Sequence, residues 1–266
     1  MRSLAKMTSS FIEGVFQDFV GGKNPPPIVF IHGDLQNHTS FKHLREVFAK
    51  KEYATLSFDL PGHGLSKFSQ ENSNLIELVK KIIGENKIIK PIIIGNSSGG
   101  TIAVKYALET QNASALILIN SPFFGPKEMN PGINFEGLYD IYKKLSEEKF
   151  KTQKLVDYSN FKNWEEEKIL QEGLESTDPK GFINNMDFYK NLPENSKIRS
   201  LKIPVLFLFS SREKFIPLEY VEKKIEKMVR GKIVVIEGGH NIAVTNPEKV
   251  IEAVEQNYSF IFGQKA

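Results

Sequence analysis

Ser97 stands in the run Gly95-Asn96-Ser97-Ser98-Gly99, a G-x-S-x-G pattern. The apolar β-branched run Ile92–Ile94 precedes it, and a helix-forming stretch from Thr101 to Leu108 follows. At a tight strand-to-helix turn, a serine hydroxyl is lifted over the sheet edge as a nucleophile, and the helix N-terminus faces the charge that develops there. Small residues two positions to either side let strand and helix approach without a Cβ between them. Serine attacks only when a base takes its proton, and the chain offers His32, His38, His43, His63 and His240. The pattern alone also describes an ordinary Ser/Gly turn, so its meaning depends on the surrounding elements.

Those elements alternate. Phe11–Val20 reads as strand, with a kink or turn at Gly14, and Ile28–Ile31 is a short apolar run of the kind buried on both faces. Phe41, Leu44, Val47 and Phe48 are at helical spacing, Ala54–Leu60 is a further strand, and Leu75, Ile76, Val79, Ile82 and Ile83 share a helix face. The run into Ser97, the helix after it and the strand Ala115–Asn120 continue the series. The pattern predicts an α/β fold with a mostly parallel, doubly wound sheet.

From Ser121 to Ser200 no apolar strand is evident, only amphipathic helical pieces. They carry Leu138, Ile141, Tyr142 and Leu145, then Trp164, Leu170 and Leu174, then Phe182, Ile183, Met186 and Tyr189. The sheet pattern resumes at Pro204–Phe209 and Lys232–Glu237. It ends in a helix whose start, Thr245–Glu248 with Pro247, reads as a capping box. A core of residues 1–120 and 201–266, interrupted by a helical cap at 121–200, is the expected organisation. Such an insertion at the carboxyl side of a strand falls where open α/β sheets bind ligands.

Composition bounds the function. The chain has 266 residues and 40% hydrophobic content, enough for one sizeable domain with an insertion. A net charge of +3 without a basic run argues against a nucleic-acid partner. The absence of cysteine removes disulfides, thiolate metal sites and a cysteine nucleophile. Met1–Ser10 lacks the continuous apolar core of a secretory leader, and no stretch approaches the length of a membrane span. A cytoplasmic protein is the expectation, with oligomeric state left open.

From about Phe11 to Phe262 the chain resembles the α/β-hydrolase fold family. The resemblance rests on motifs in family order: His32-Gly33, Asp59-x-Pro61-Gly62-His63-Gly64-x-Ser66, the turn at Ser97, Ser210–Pro217, and Gly239-His240. It implies that Ser97 is the nucleophile and that His240, between the last strand and last helix, is its base. His32 and His63, in turn motifs, read as structural, while His38 and His43 read as exposed. Glu213, four residues before Pro217, takes the slot where the family usually has aspartate; Asn120, at an alternative position for the acid, is not a carboxylate. The backbone amides of Ser98 and Asp34 would form the oxyanion hole. Asp34 departs from the apolar residue that many relatives have after His-Gly. Its side chain either caps the turn or selects substrates, repelling anionic acyl groups and anchoring a hydroxyl or cation.

The implied activity is hydrolysis of a carboxylic ester or related acyl bond through an acyl-enzyme, with neither cofactor nor metal. The aromatic residues Phe123, Phe124, Phe135, Tyr139, Trp164 and Phe182 point to a hydrophobic small-molecule substrate, or simply to the core of the cap. Thioester hydrolysis, carbon–carbon bond hydrolysis and cofactor-free haloperoxidation use the same residues. A ligand-binding relative with a vestigial site is the competing class.

Overall fold

The apolar runs become strands of one eight-stranded sheet, ordered β1-β2-β4-β3-β5-β6-β7-β8. The computed structural model describes residues 7–121, 164–190, 198, 200–213, 215–226 and 228–263. β1 (Met7–Ile12) and β2 (Val15–Val20) form an antiparallel hairpin that turns at Gly14, where φ is 75°. β2 also runs antiparallel to β4 (Tyr53–Phe58). The remaining pairings, from β4 through β3 (Asn24–Ile31), β5 (Ile92–Asn96), β6 (Ala115–Ile119) and β7 (Val205–Ser210) to β8 (Gly231–Ile236), are parallel.

The central strands carry unbroken apolar runs, Ile28–Ile31, Ile92–Ile94, Ala115–Ile119 and Val205–Phe209, because both sheet faces are covered. Val29, Ile31, Ile93, Leu116, Leu118 and Phe207 pack in one core, together with residues of α2 (Leu75–Glu85) and α3 (Ser98–Thr110). Their neighbours Ile28, Phe30, Ile92, Ile94, Ile117 and Leu206 pack in the other, against α1 (Lys42–Lys50) and a helix late in the chain. The pleat sorts alternate residues to opposite faces. Each fully buried Ile, Leu or Phe contributes about 1.5–3 kcal/mol relative to exposure. The doubly wound, mostly parallel sheet is therefore the observed architecture.

Between β6 and β7 the described residues include α4 (Trp164–Glu175) and α5 (Pro179–Lys190). Ile169 and Leu170 of α4 pack on Val244. The expected helix through Leu138 and Leu145 lies outside the described residues, as do Phe123, Phe124, Phe135 and Tyr139. After β7 come α6 (Leu218–Ile225) and, beyond β8, the short α7 (Ile242–Thr245) and α8 (Pro247–Gln256). Pro247 does open α8, but Thr245 is not its cap. Thr245 ends α7, where its hydroxyl donates to the Asn241 carbonyl at 3.2 Å, and Asn246 takes the cap position. Among the described residues no helix is long and apolar enough to cross a membrane.

Candidate active site

Four loops leave the carboxyl ends of parallel strands and meet. They follow β3 (His32 to Gln36), β5 (Ser97), β7 (Glu213) and β8 (His240). The turn at Ser97 is tight enough to exclude side chains around it. A Cβ on Gly95 would stand 2.4 Å from the Gly100 Cα, and one on Gly99 would stand 2.1 Å from the Ile31 carbonyl oxygen. Ser97 itself has φ 48° and ψ −123°, outside the conformations L-residues prefer. Such a geometry costs on the order of 1–3 kcal/mol and persists only where the surroundings over-determine it. Here the Ser97 amide donates to the Ile119 carbonyl at 2.8 Å, and the Gly100 amide donates to the Ser97 carbonyl at 3.0 Å.

Ser97, His240 and Glu213 form one hydrogen-bonded line. His240 Nε2 is 3.1 Å from Ser97 Oγ, and His240 Nδ1 is 2.6 Å from Glu213 Oε2. The Glu213 side chain is 1% exposed, and its second oxygen accepts from the Phe215 amide at 2.7 Å. The Phe215 ring meets His240 edge-on, centroids 5.0 Å apart. A carboxylate fixed at Nδ1 leaves the Nε2 lone pair directed at the serine hydroxyl, the arrangement that activates a nucleophile.

Two residues that sequence reasoning did not single out for this role hold the loops in register. Asn120 donates to the His240 carbonyl at 2.7 Å and accepts from the Ser210 amide at 2.8 Å. Gln36 Oε1 accepts from the Gly33 amide and from Asn96 Nδ2, each at 3.0 Å, while its Nε2 donates to Asn241 Oδ1 at 2.8 Å. Short-range pattern carries no mark of the contacts between loops, because Asn120 meets His240 and Ser210, and Gln36 meets Asn96 and Asn241, across 60 to 205 residues of chain.

The other histidines divide differently from expectation. His32 and His63 are fully buried. The Leu60 amide donates to His32 Nε2 at 2.8 Å, so His32 Nδ1 carries the proton and donates to the Gly33 carbonyl at 2.7 Å. Burial lowers His32 to about 4 and His63 to about 3, consistent with neutral, structural rings. His38, expected to be exposed, is not: its side chain is 14% exposed, and Nδ1 lies 2.8 Å from Asp59 Oδ1.

Asp34 faces the same site. Its amide donates to Ser98 Oγ at 2.9 Å, and its Oδ1 accepts from Asn185 Nδ2 at 3.1 Å. Burial pushes its carboxyl up to about 6, against the opposing pull of the Asn185 and Ser98 hydrogen bonds. The sign of the linkage is then set. Folded Asp34 holds its proton more tightly than the unfolded chain does, so ionising it costs stability as pH rises from 3.8 towards 6. The full cost, up to about 3 kcal/mol, applies above that window. Asp34→Asn keeps an acceptor for Asn185 and removes the charge. It is expected to raise the melting temperature by several degrees at pH 8 and to leave it unchanged below pH 3.8, as read by calorimetry. Equal effects at both pH values would show that the carboxyl is not ionised at a cost.

Among the described residues no group of three or more His, Cys, Asp or Glu is placed to hold a metal ion. A model of the alpha/beta hydrolase fold matches residues 26–247. A Haemophilus influenzae protein that carries an esterase/lipase name is 27% identical, over 94% of this chain and 89% of its own. Among solved structures, a thermophilic esterase from Thermogutta terrifontis aligns with a TM-score of 0.77 at 19% identity, covering 95% of this chain and 97% of that one. A bromoperoxidase from Bacillus anthracis aligns with a TM-score of 0.78 at 15% identity, covering 96% and 100%. At such identities the structural likenesses establish the fold alone. The family match, however, extends from β3 to the start of α8 and takes in every loop that meets at Ser97, and on that ground the chain belongs to the α/β-hydrolase fold family.

Proposed function

We propose that the protein hydrolyses a carboxylic ester of a small molecule through an acyl-enzyme. Ser97 is the nucleophile, His240 the base and Glu213 the group that orients and stabilises it. The observation that carries this reading is the continuous line from Ser97 Oγ through His240 to the enclosed Glu213 carboxylate. The esterase/lipase name of the Haemophilus influenzae relative supports ester cleavage within this family.

The chemistry follows from the geometry. Ser97 Oγ attacks the ester carbonyl as its proton passes to His240 Nε2, and the Glu213 carboxylate stabilises the imidazolium. The carbonyl oxygen becomes an oxyanion, held by the amide of Ser98, at the N-terminus of α3, and by that of Asp34, in the loop after β3. In the free protein the Asp34 amide is already engaged by Ser98 Oγ. A rotation of the Ser98 side chain releases that donor to the substrate oxygen. Collapse of the intermediate breaks the C–O bond, and the leaving alcohol takes the proton from His240. Water then attacks the acyl-serine, giving up a proton to His240, and releases the acid while returning that proton to Ser97. Segment 121–200, which contributes α4 and α5, acts as the cap over this chemistry.

Turnover of p-nitrophenyl esters tests the reading. An acyl-enzyme gives an initial burst of nitrophenol close to one equivalent per active site when deacylation is slower than acylation, and a serine-trapped acyl adduct by mass spectrometry. A binding protein with a vestigial site would yield neither product nor adduct.

A further inference from the structure

α5 is held firmly against the core. A Cβ on Gly181 would stand 2.4 Å from the Pro61 carbonyl oxygen, so helix and turn touch backbone to backbone. The Asp178 amide donates to the Gly62 carbonyl at 2.6 Å, and Asn184 Nδ2 donates to the Ser73 carbonyl at 2.9 Å. Phe182 is 2% exposed. The face of α5 that turns towards Ser97 is thereby fixed in place.

Asn185 and Tyr189 lie one helical turn apart on that face. Asn185 is wholly buried. Its Nδ2 donates to Asp34, which fixes the amide orientation and leaves Oδ1 as an enclosed acceptor without a partner. The Tyr189 hydroxyl has Asp34 and Ser98 as polar neighbours but makes no hydrogen bond of normal geometry. Burial and the adjacent Asp34 carboxyl hold the phenol well above its usual range, so it remains a donor. Buried polar atoms are rarely left unpaired, because each costs the desolvation it never recovers.

We propose that Asn185 and Tyr189, beside Asp34 and Ser98, form an acyl-side subsite that selects esters whose acyl group carries a hydroxyl. The proposal rests on the ester-hydrolase reading above. A hydroxyl is the small group that both donates, to Asn185 Oδ1, and accepts, from the Tyr189 hydroxyl. An ammonium cannot accept, and an alkyl group would leave both atoms unpaired. The leaving alcohol must face His240 Nε2 to be protonated, so the group beside the Asp34 and Ser98 amides belongs to the acyl half of the ester.

The test compares shape-matched p-nitrophenyl esters: lactate against isobutyrate, β-hydroxybutyrate against isovalerate, and the alanine ester as the ammonium arm. A subsite that leaves two polar atoms unpaired with the alkyl ester should favour at least one hydroxyacyl ester by about 10- to 100-fold in kcat/KM. Tyr189→Phe keeps the ring and removes only the hydroxyl, and Asn185→Leu removes the acceptor. Each should lower that ratio about tenfold or bring it to one. A wild-type ratio near one for both pairs, with turnover of all esters, would overturn the subsite, as would a ratio that survives both substitutions. Preference for the alanine ester over lactate would overturn it too, since Asp34 charge would then be the recognising feature. Absence of turnover on every ester would instead overturn the hydrolase reading beneath it.

Discussion

Replacing Ser97 by alanine should remove both fluorophosphonate labelling and ester turnover while the melting temperature stays close to that of the parent. Loss of the nucleophile in a serine hydrolase costs up to about 10⁶-fold in turnover, leaving only what binding and the oxyanion donors supply. The fold has little reason to respond. Among the described residues the Ser97 hydroxyl hydrogen-bonds to His240 Nε2, and the backbone strain at φ 48° is borne by alanine as it is by serine. Ser98 is the internal control, because it is adjacent and carries the same functional group. Its hydroxyl accepts from the Asp34 amide rather than facing His240. Probe attached to Ser98, or activity that persists in Ser97→Ala, would sink the assignment.

Glu213→Gln should lose about 10²–10⁴-fold in kcat, since removing the charge behind a catalytic histidine costs roughly four orders of magnitude where it has been measured. The direction of the effect can be read from the two carboxylate oxygens. Oε1 accepts from the Phe215 amide, which holds a glutamine carbonyl in the same place. The glutamine NH₂ then faces His240 Nδ1 and donates to it, forcing the ring proton onto Nε2. That tautomer cannot accept a proton from Ser97. Glu213→Asp should fall between the parent and Glu213→Gln, because the shorter arm stops short of His240 Nδ1, which glutamate reaches at 2.6 Å. Glu219 pairs with Lys223 on the surface of α6, and Glu219→Gln should change the rate little. Near parental turnover in Glu213→Gln would place the acid elsewhere, with Asp34 the next carboxylate to replace.

The parts of this molecule legible from sequence are those where local chemistry is self-sufficient. β3, β5, β6 and β7 announce themselves because burial on both faces demands unbroken apolar runs. Ser97 is legible because its turn needs glycines at set distances along the chain. β1 was only half visible: its exposed residues, Met7 to Phe11, carry no apolar rhythm, and it is a strand because β2 pairs with it. His38 departs from its exposed reading for a related reason. Its polar surroundings suggest exposure, but Asp59, 21 residues away, encloses and binds it. Asn185 interrupts an apolar helix stripe and gives no sign that it meets Asp34 across 151 residues of chain. Helix starts were approximate because Thr245 and Pro247 fit a cap pattern equally well when a short helix ends immediately before.

The sheet order places Ser97 and His240, the proposed nucleophile and base, after strands of unequal security. Ser97 follows β5, flanked on both sides, whereas His240 follows β8, whose one neighbour among the described strands is β7. β8 is also less enclosed than the central strands, with Val235 49% exposed. Strands at a margin detach at lower free energy than those held on both sides. If His240 is the base proposed above, fraying of that margin would withdraw it while Ser97, its turn and most of the core stay in place. Competence for the reaction is thus a narrower state than foldedness, and the margin of the sheet sets its limit.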